Sequence, residues 1–317
     1  MIDSWYLFWP GWVSAWLVAG LLPLVGIPLL ARRQVFLGMT VAQTAGLGVV
    51  LALSIGAALA TTPEVQEPPV RTEPATNAAD PLDAFMREEG IEPETPPPET
   101  AYQHSHQPAW TESNWFRLIA AMVLALIAAV ATGCCRGDAV LGWLFVGASA
   151  GSVLLAAQSP HGMQEVERLL GSTLITATPG DAVLLSALSC AAVVGWVALR
   201  RQLLLWTLEP VVAAAFGMRP RLTGTGYYAF AGIALGVSMY ASGLTYTFAA
   251  LLLPLLAASN LVRRIRTLLI LAPVVGVITS LFATLVAHQY DLPPGPVFAL
   301  LAAGLAMLTV PVRHFRA

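Results

Sequence analysis

The stretch Ala31 to Val49 reads ARRQVFLGMTVAQTAGLGV and joins two apolar runs. Two arginines end one apolar run, and a second apolar run begins directly after them. In this second run small residues recur at every fourth position, at Gly38, Ala42 and Gly46. On a helix these residues share one face, and small residues on a helix face let a second backbone approach closely in lipid. The pattern therefore predicts a tightly packed membrane helix.

Met39 and Gln43 occupy the neighbouring face of the same predicted helix, since they are also four residues apart. A thioether and an amide beside a packed face suggest a lining for a substrate route through a membrane. The alternative is ordinary packing, because methionine commonly fills irregular gaps in apolar cores. Both interpretations stay open from the sequence.

The composition excludes a soluble protein. Over 317 residues, 57% are hydrophobic and only 11% are charged, and the mean hydropathy is +0.71. All sixteen basic residues are arginines, and the net charge is −2. We therefore predict an integral membrane protein that has no surface for nucleic acid and binds no cofactor of its own.

Nine apolar runs are long enough to cross about 30 Å of hydrocarbon. They predict an all-α, polytopic transmembrane bundle that forms a single domain over residues 1–317. The first run lacks a basic region before it, so we take it as a span rather than a signal peptide. The predicted spans are Gly11–Leu30, Val35–Ala60, Trp115–Gly133, Ala139–Gln158, Gly180–Leu199, Thr223–Ala241, Gly243–Ser259, Thr267–His288 and Pro294–Val312.

An acidic insert at residues 61–114 interrupts the bundle. It is rich in proline and carries eleven acidic residues against two arginines. Such a segment buries too little apolar area to fold, so we predict a mostly disordered loop with one short helix around residues 81–89. His104 and His106 lie within this insert and are a weak candidate for low-affinity zinc binding. The alternative is that they belong to a solvated linker that binds no metal.

The arginines indicate the orientation, because cytoplasmic loops carry an excess of basic residues. Placing the first loop, with Arg32 and Arg33, in the cytoplasm puts twelve arginines on that side and four outside. This predicts a multi-pass protein of the cell (inner) membrane. Its amino terminus and acidic insert lie outside and its carboxyl terminus lies inside.

The predicted cytoplasmic connection Arg200–Leu222 contains LEPVVAAAFGMRPRL. Residues Glu209–Phe216 are typical of a short helix, since Pro210 suits the first turn and a glutamate suits the positive end of the helix dipole. Gly217 supplies a helix C-cap. Such a helix suits docking of a cytoplasmic partner, and an interfacial helix lying on the membrane is the alternative.

The chain resembles the membrane-permease subunit of ATP-binding-cassette importers for zinc and manganese. The segments that carry the resemblance are RRQVFLGMTVAQTAGLGV (32–49), GDAVLGWLFVGASAGSVLL (137–155), LLGSTLITATPGDAVLL (169–185), EPVVAAAFGMRP (209–220), GLTYTFAALLLPLLAASNLVRR (243–264) and DLPPGPVFALLAAGLAML (291–308). The resemblance implies a cytoplasmic ATPase subunit, an extracytoplasmic solute-binding protein, and pairing with a second permease as a homodimer or heterodimer.

The resemblance also implies which segment transmits ATP hydrolysis. This coupling segment comprises Glu209, Pro210, Ala213, Gly217, Met218 and Arg219. The chain itself has no phosphate-binding glycine-rich loop with a lysine, so ATP would bind to the partner subunit and this chain is not an enzyme. A membrane enzyme is further disfavoured because no predicted span presents a nucleophile with a base.

The expected metal ligands are missing. In the resembling family an aspartate and a histidine stand at the positions of Met39 and Gln43, which is the pair that a divalent transition metal needs. Three explanations compete: a partner permease supplies the ligands, the substrate is a chelate or a soft ion, or the subunit is a regulatory scaffold. The expected function is a permease for a divalent metal, zinc rather than manganese, or for a metal chelate.

Overall fold

The computed structural model describes residues 5–59, 114–134, 138–158, 174, 177–262 and 264–315. Within these ranges the regular structure is helical. The helices are α1 Trp5–Ala31, α2 Val35–Leu59, α3 Asn114–Cys134, α4 Asp138–Ala157, α5 Pro179–Leu208, α6 Pro210–Ala215, α7 Pro220–Ser242, α8 Leu244–Leu261, α9 Ile265–Gln289 and α10 Pro294–Phe315. The predicted all-α bundle is therefore confirmed, whereas the predicted orientation in the membrane stays a prediction.

Each of the nine predicted spans corresponds to a long helix, but only eight of those helices are apolar enough to cross a membrane by length and composition. The exception is α7, the predicted span Thr223–Ala241. This helix carries glycine, threonine, serine and tyrosine residues, yet most of its second half is buried by neighbouring helices. Since protein rather than lipid covers α7, low hydropathy is compatible with a position inside the bundle.

The predicted end of the fifth span at Leu199 is wrong. Helix α5 continues to Leu208, so Arg200 and Arg201 lie in the helix and not in the predicted connection Arg200–Leu222. Arginine ends an apolar run without ending a helix, because its helix propensity is high. Both arginines are exposed, while Leu203 and Trp206 beyond them are buried. The connection to α7 therefore begins at Glu209.

Backbone carbonyls of α1 hold the bundle together. Pro28 lacks an N–H, so the carbonyl of Leu24 loses its helical partner, and the Trp196 indole of α5 donates to it at 3.2 Å. The hydroxyl of Tyr246 in α8 donates to the carbonyl of Ala15 at 2.9 Å. The hydroxyl of Tyr227 in α7 donates to the carbonyl of Val25. Three other helices are thus anchored to α1.

The long helices form two groups by their packing. Helices α2, α3, α4 and α7, the first helix group, pack mostly on one another, and so do α1, α8, α9 and α10, the second helix group. Helix α5 packs mainly on α1. Contacts between the groups are fewer and are made by α1 and α8 with α2 and α7. The two groups therefore meet along one central boundary.

The turn between α1 and α2 is built by the paired arginines. The amide of Arg33 donates to the carbonyl of Leu30, and that of Gln34 donates to the carbonyl of Leu29. This is the Schellman pattern that closes a helix C-terminus. It requires a left-handed residue, and Arg33 adopts φ 57°. The arginines therefore end α1 by backbone conformation as well as by charge.

Three predictions fall on residues outside those that the structure describes. They are the disordered acidic insert, the short helix around residues 81–89, and the weak metal candidate at His104 and His106. These stay predictions.

Helix α2 approaches α3 at Gly48, where a Cβ would lie 2.6 Å from the backbone carbonyl oxygen of Ala120. We expect Gly48→Ala to push these helices apart and to cost about 1–3 kcal/mol of unfolding free energy. The measurement is the apparent unfolding temperature in detergent. The matched control is Gly147→Ala in α4, where a Cβ meets nothing within 4 Å and helix propensity improves. Equal effects at both positions would contradict this packing.

Candidate transport route and coupling region

The small-residue face of α2 packs against α8 of the second helix group at Gly38 and against α7 of its own group at Gly46. Gly38 faces the side chain of Leu251 in α8, and a Cβ built at Gly38 would overlap that side chain. At Gly46 a Cβ would lie 2.8 Å from the terminal methyl of Met239 in α7. Ala42, between them, is fully buried. All three positions of this face therefore lie where neighbouring helices come close.

Met39 and Gln43 lie beside that face. Met39 is half-buried and Gln43 is only 8% exposed. Gln43 lies about 60° from Thr40 around the axis of α2. The Thr40 hydroxyl donates to the carbonyl of Leu141 in α4 at 3.3 Å. The two side chains at the positions where the resemblance leads us to expect metal ligands are therefore neutral, and of the two only Gln43 is buried.

The described interior offers no cluster of metal ligands. No group of three His, Cys, Asp or Glu side chains is found within the described ranges. Asp181 caps α5 through the amide and hydroxyl of Thr178, both at 2.8 Å. Glu209 and Asp291 are exposed at helix ends. The described carboxylates thus stabilise helix ends or face the surface rather than line a route.

In the described interior of the bundle, hydroxyl groups rather than charged side chains make most of the polar contacts. The Tyr246 hydroxyl donates to the carbonyl of Ala15, so Ser280 donates to the tyrosine oxygen at 2.6 Å. Its ring stacks on Phe298 with 4.4 Å between centroids. Ser242 donates to the carbonyl of Ser238 at 2.7 Å. These bonds keep most buried hydroxyls satisfied.

Three buried hydroxyls are exceptions. The Oγ atoms of the fully buried Ser14 in α1 and Ser238 in α7, and the Oγ1 atom of Thr207 in α5, have no hydrogen-bond partner among the described residues. A buried hydroxyl without a partner costs about 1–3 kcal/mol. The sequence analysis did not single out these serines, since a serine in an apolar run gives no sign of whether its neighbours bond it.

A polar cavity of about 550 Å³ lies beside the carboxyl-terminal end of α1 and the amino-terminal end of α7, away from Ser14 and Ser238. The Arg32 guanidinium lies over the Trp206 ring at 4.1 Å and donates to the Trp206 carbonyl at 3.1 Å. The Tyr228 hydroxyl donates to the side-chain oxygen of Gln34 at 2.6 Å. The cavity is lined by Arg32, Gly133, Trp206, Pro210, Pro220, Arg221, Gly224, Thr225 and Tyr228. It therefore borders both ends of the α6 connection.

Helix α6 is the predicted coupling helix. Its carboxyl end closes in a second Schellman turn, in which Gly217, at φ 76°, donates to the carbonyl of Ala214, and Met218 donates to that of Ala213. Pro210 begins the helix, and Glu209 precedes it without a side-chain cap bond. Arg219 is exposed just before α7 begins. The connection is thus tightly folded.

The side chains of α6 divide into a buried and an exposed set. Ala213 is buried and holds the helix against its neighbours, whereas Val211 is 79% and Phe216 is 73% exposed. The sequence analysis did not select Val211 and Phe216, although an exposed valine and phenylalanine on a short helix at a bundle end are unusual for a surface turned to water. Both are exposed apolar side chains close in sequence to Pro210, which lines the polar cavity.

These features define a polytopic helical membrane protein whose described buried polar side chains carry hydroxyl or amide groups and which has a short exposed helix at one end. The ABC 3 transport family model matches residues 101–313, more than half of the chain. The chain belongs to the ABC 3 transport family, and it is therefore a membrane permease of the ATP-binding-cassette class.

Two solved structures share the fold. One is PsaBC from Streptococcus pneumoniae in complex with Fab, with a TM-score of 0.69 and 13% identity over 99% of this chain and 96% of that chain. The other is an inward-facing conformation of a metal-chelate type ABC transporter, with a TM-score of 0.64 and 15% identity over 95% of this chain and 85% of that chain. No curated protein matches the sequence.

Proposed function

We propose that this chain is the permease subunit of an ATP-driven importer in the cell (inner) membrane whose substrate is a divalent transition metal carried as a chelate. The neutral interior supports this proposal most directly. In the described bundle the side chains at the expected ligand positions are Met39 and Gln43. A bare divalent ion needs charged or imidazole ligands to replace its water, whereas a chelate brings its own ligands.

The metal itself is assigned by donor chemistry. Where the chelator leaves one coordination position of the metal open, the thioether of Met39 would fill it as a soft donor, and soft donors favour zinc over manganese. One of the solved structures with this fold is described as a metal-chelate type transporter, which agrees with a chelated substrate. We therefore assign zinc, held by a small organic chelator, ahead of manganese.

The alternative is a regulatory, non-transporting permease-like subunit. It is favoured by the same observation, because a route with no carboxylate or imidazole buried in the described interior lacks the groups that usually mark ion pathways. In a heterodimer the second permease would then supply the metal ligands. Uptake measurements with and without a second permease separate this alternative from transport by the present chain.

Helix α6 is the proposed docking site for the ATPase subunit, which binds ATP in place of this chain. Val211 and Phe216 expose apolar area at one end of the bundle, and burial of such area is the main favourable term in association. The Schellman turn at Gly217 fixes their direction relative to α7. An extracytoplasmic solute-binding protein would deliver the substrate at the other end.

The coupling assignment is tested at Gly217. We expect Gly217→Val to strain the turn, because a left-handed conformation costs a residue with a Cβ about 1–2 kcal/mol, and to weaken ATPase docking about tenfold. Gly217→Asn is the matched control, since asparagine adopts this conformation more readily. The measurement is the affinity of the ATPase for vesicles that contain the permease. Unchanged affinity with Gly217→Val would remove the assignment.

The substrate assignment is tested by uptake into vesicles that contain the permease, the ATPase and the binding protein. We expect radioactive zinc to accumulate faster as a chelate than as the free ion. Gln43→Leu, which removes the amide at similar size, should lower the initial rate about fivefold, as for one lost hydrogen bond. Thr132→Val is the control, because the Thr132 hydroxyl bonds only within its own helix α3.

Two outcomes would contradict the proposal. Faster uptake of the free ion would overturn the chelate assignment. Uptake that appears only when a second permease is added, and that is insensitive to Gln43→Leu, would establish the regulatory alternative.

A further inference from the structure

The relative position of Ser14 and Ser238 follows from contacts at both ends of α1 and α7. At one end Tyr227 of α7 donates to the carbonyl of Val25. At the other end α7 stops at Ser242, and Tyr246, four residues on, donates to the carbonyl of Ala15. The two helices therefore run antiparallel, with later residues of α7 facing earlier residues of α1.

Ser14 and Ser238 lie on the faces that α1 and α7 turn toward each other. Ser14 precedes Val25 by eleven residues, and Ser238 follows Tyr227 by eleven residues. Eleven residues are close to three helical turns, so each serine shares a face with the anchoring residue of its own helix. The rise is about 16 Å along both helices. The two serines therefore lie at the same level on opposing faces.

Near Ser14, α1 packs on α9 within the second helix group. The Trp12 ring packs edge-on against His288 of α9 at 5.3 Å, and the Trp16 indole donates to Thr284 at 3.4 Å. A cavity lined in part by Phe8 and Trp12 at this end holds about 30 Å³, against about 550 Å³ for the cavity at the end that carries Arg32. Of these two cavities in the described bundle, the larger therefore lies at the Arg32 end.

We propose that the contact between α1 and α7 from Val25 and Tyr227 to Ser14 and Ser238, the α1–α7 seam, opens during transport, and that the hydroxyls of Ser14 and Ser238 then line the substrate route. Their hydrogen-bonding capacity, unused in the closed seam, is met by oxygen atoms of water or of the ligands around the metal. The Tyr227 bond at the other end of the seam acts as the fixed point. This inference rests on the proposed transport function.

The location of the seam also explains why hydroxyls and not charges occupy it. α1 belongs to the second helix group and α7 to the first, so the seam is part of the boundary between the groups. A hydroxyl both donates and accepts, and it is neutral when the seam closes. A serine hydroxyl can therefore hydrogen-bond water when the seam is open, and it places no charge in the bundle when the seam is closed.

The first experiment replaces each hydroxyl in the complex of permease and ATPase. Ser14→Ala and Ser238→Ala remove an unsatisfied group, so we expect the apparent unfolding temperature without nucleotide to rise while the zinc–chelate uptake rate falls about fivefold for each, as for one lost hydrogen bond. Ser152→Ala is the matched control, because the Ser152 hydroxyl is buried in α4 and donates to the carbonyl of Ala148. It should lower the unfolding temperature and leave uptake unchanged.

The second experiment tests opening without requiring uptake. Ser14→Cys, Ser238→Cys and the control Ser152→Cys are introduced after the native cysteines are replaced, and labelling by a membrane-impermeant maleimide is compared without nucleotide and with ATP and vanadate. We expect labelling at positions 14 and 238 to change at least tenfold between these states, with no change at position 152.

The outcomes separate this inference from the proposed function. Nucleotide-dependent labelling in a complex that moves no zinc chelate supports the seam and contradicts the substrate assignment. Active uptake, together with labelling at positions 14 and 238 that matches position 152 in every state, overturns the seam and leaves the proposed function standing.

Discussion

The architecture depends on the carbonyl groups of α1 finding donors inside the bundle. Lipid offers no hydrogen bonds, so a carbonyl freed by a proline must be met by another helix. Trp196 meets the carbonyl of Leu24, which Pro28 leaves free, and Tyr227 and Tyr246 bond the carbonyls of Val25 and Ala15. These bonds join α1 to α5, α7 and α8. They therefore fix where the central boundary between the two helix groups lies with respect to α1.

A boundary with fewer contacts than the groups on either side of it allows those groups to pack against each other in two arrangements. Close packing at glycine gives each helix group its rigidity, as at Gly48 against α3 in the first group and at Gly276 against α1 in the second. Between the groups fewer contacts are made, and helical periodicity places the unsatisfied hydroxyls of Ser14 and Ser238 there. The polar cavity and the exposed helix α6 are at one end of this boundary. Since α6 packs on α5 and α7, the proposed docking of an ATPase at α6 would act on α7 and so on the proposed seam.

Hydropathy predicted nearly all of the helices because eight of the nine spans are continuous and strongly apolar, and α7 is still apolar enough to stand out from its flanking segments. It placed the end of α5 too early, since Arg200 and Arg201 leave the apolar pattern without breaking the helix. The glycine at position 217 indicated the end of α6, because the turn there requires a left-handed residue. The pairing of Ser14 with Ser238 is not visible in the sequence, because it depends on which faces of two helices, more than 200 residues apart, are turned to each other.

The central claim is that the two helix groups move as units about this boundary. Pulsed electron–electron spin resonance on spin labels measures it directly, with one pair across the groups at Val146 of α4 and Leu300 of α10, and one pair within a group at Ile278 of α9 and Leu300. All three side chains are exposed on the bundle surface. The account predicts that the distance across the groups changes by several ångströms between the nucleotide-free and vanadate-trapped complexes while the distance within the group stays fixed. Equal changes in both distances, or no change across the groups, would contradict it.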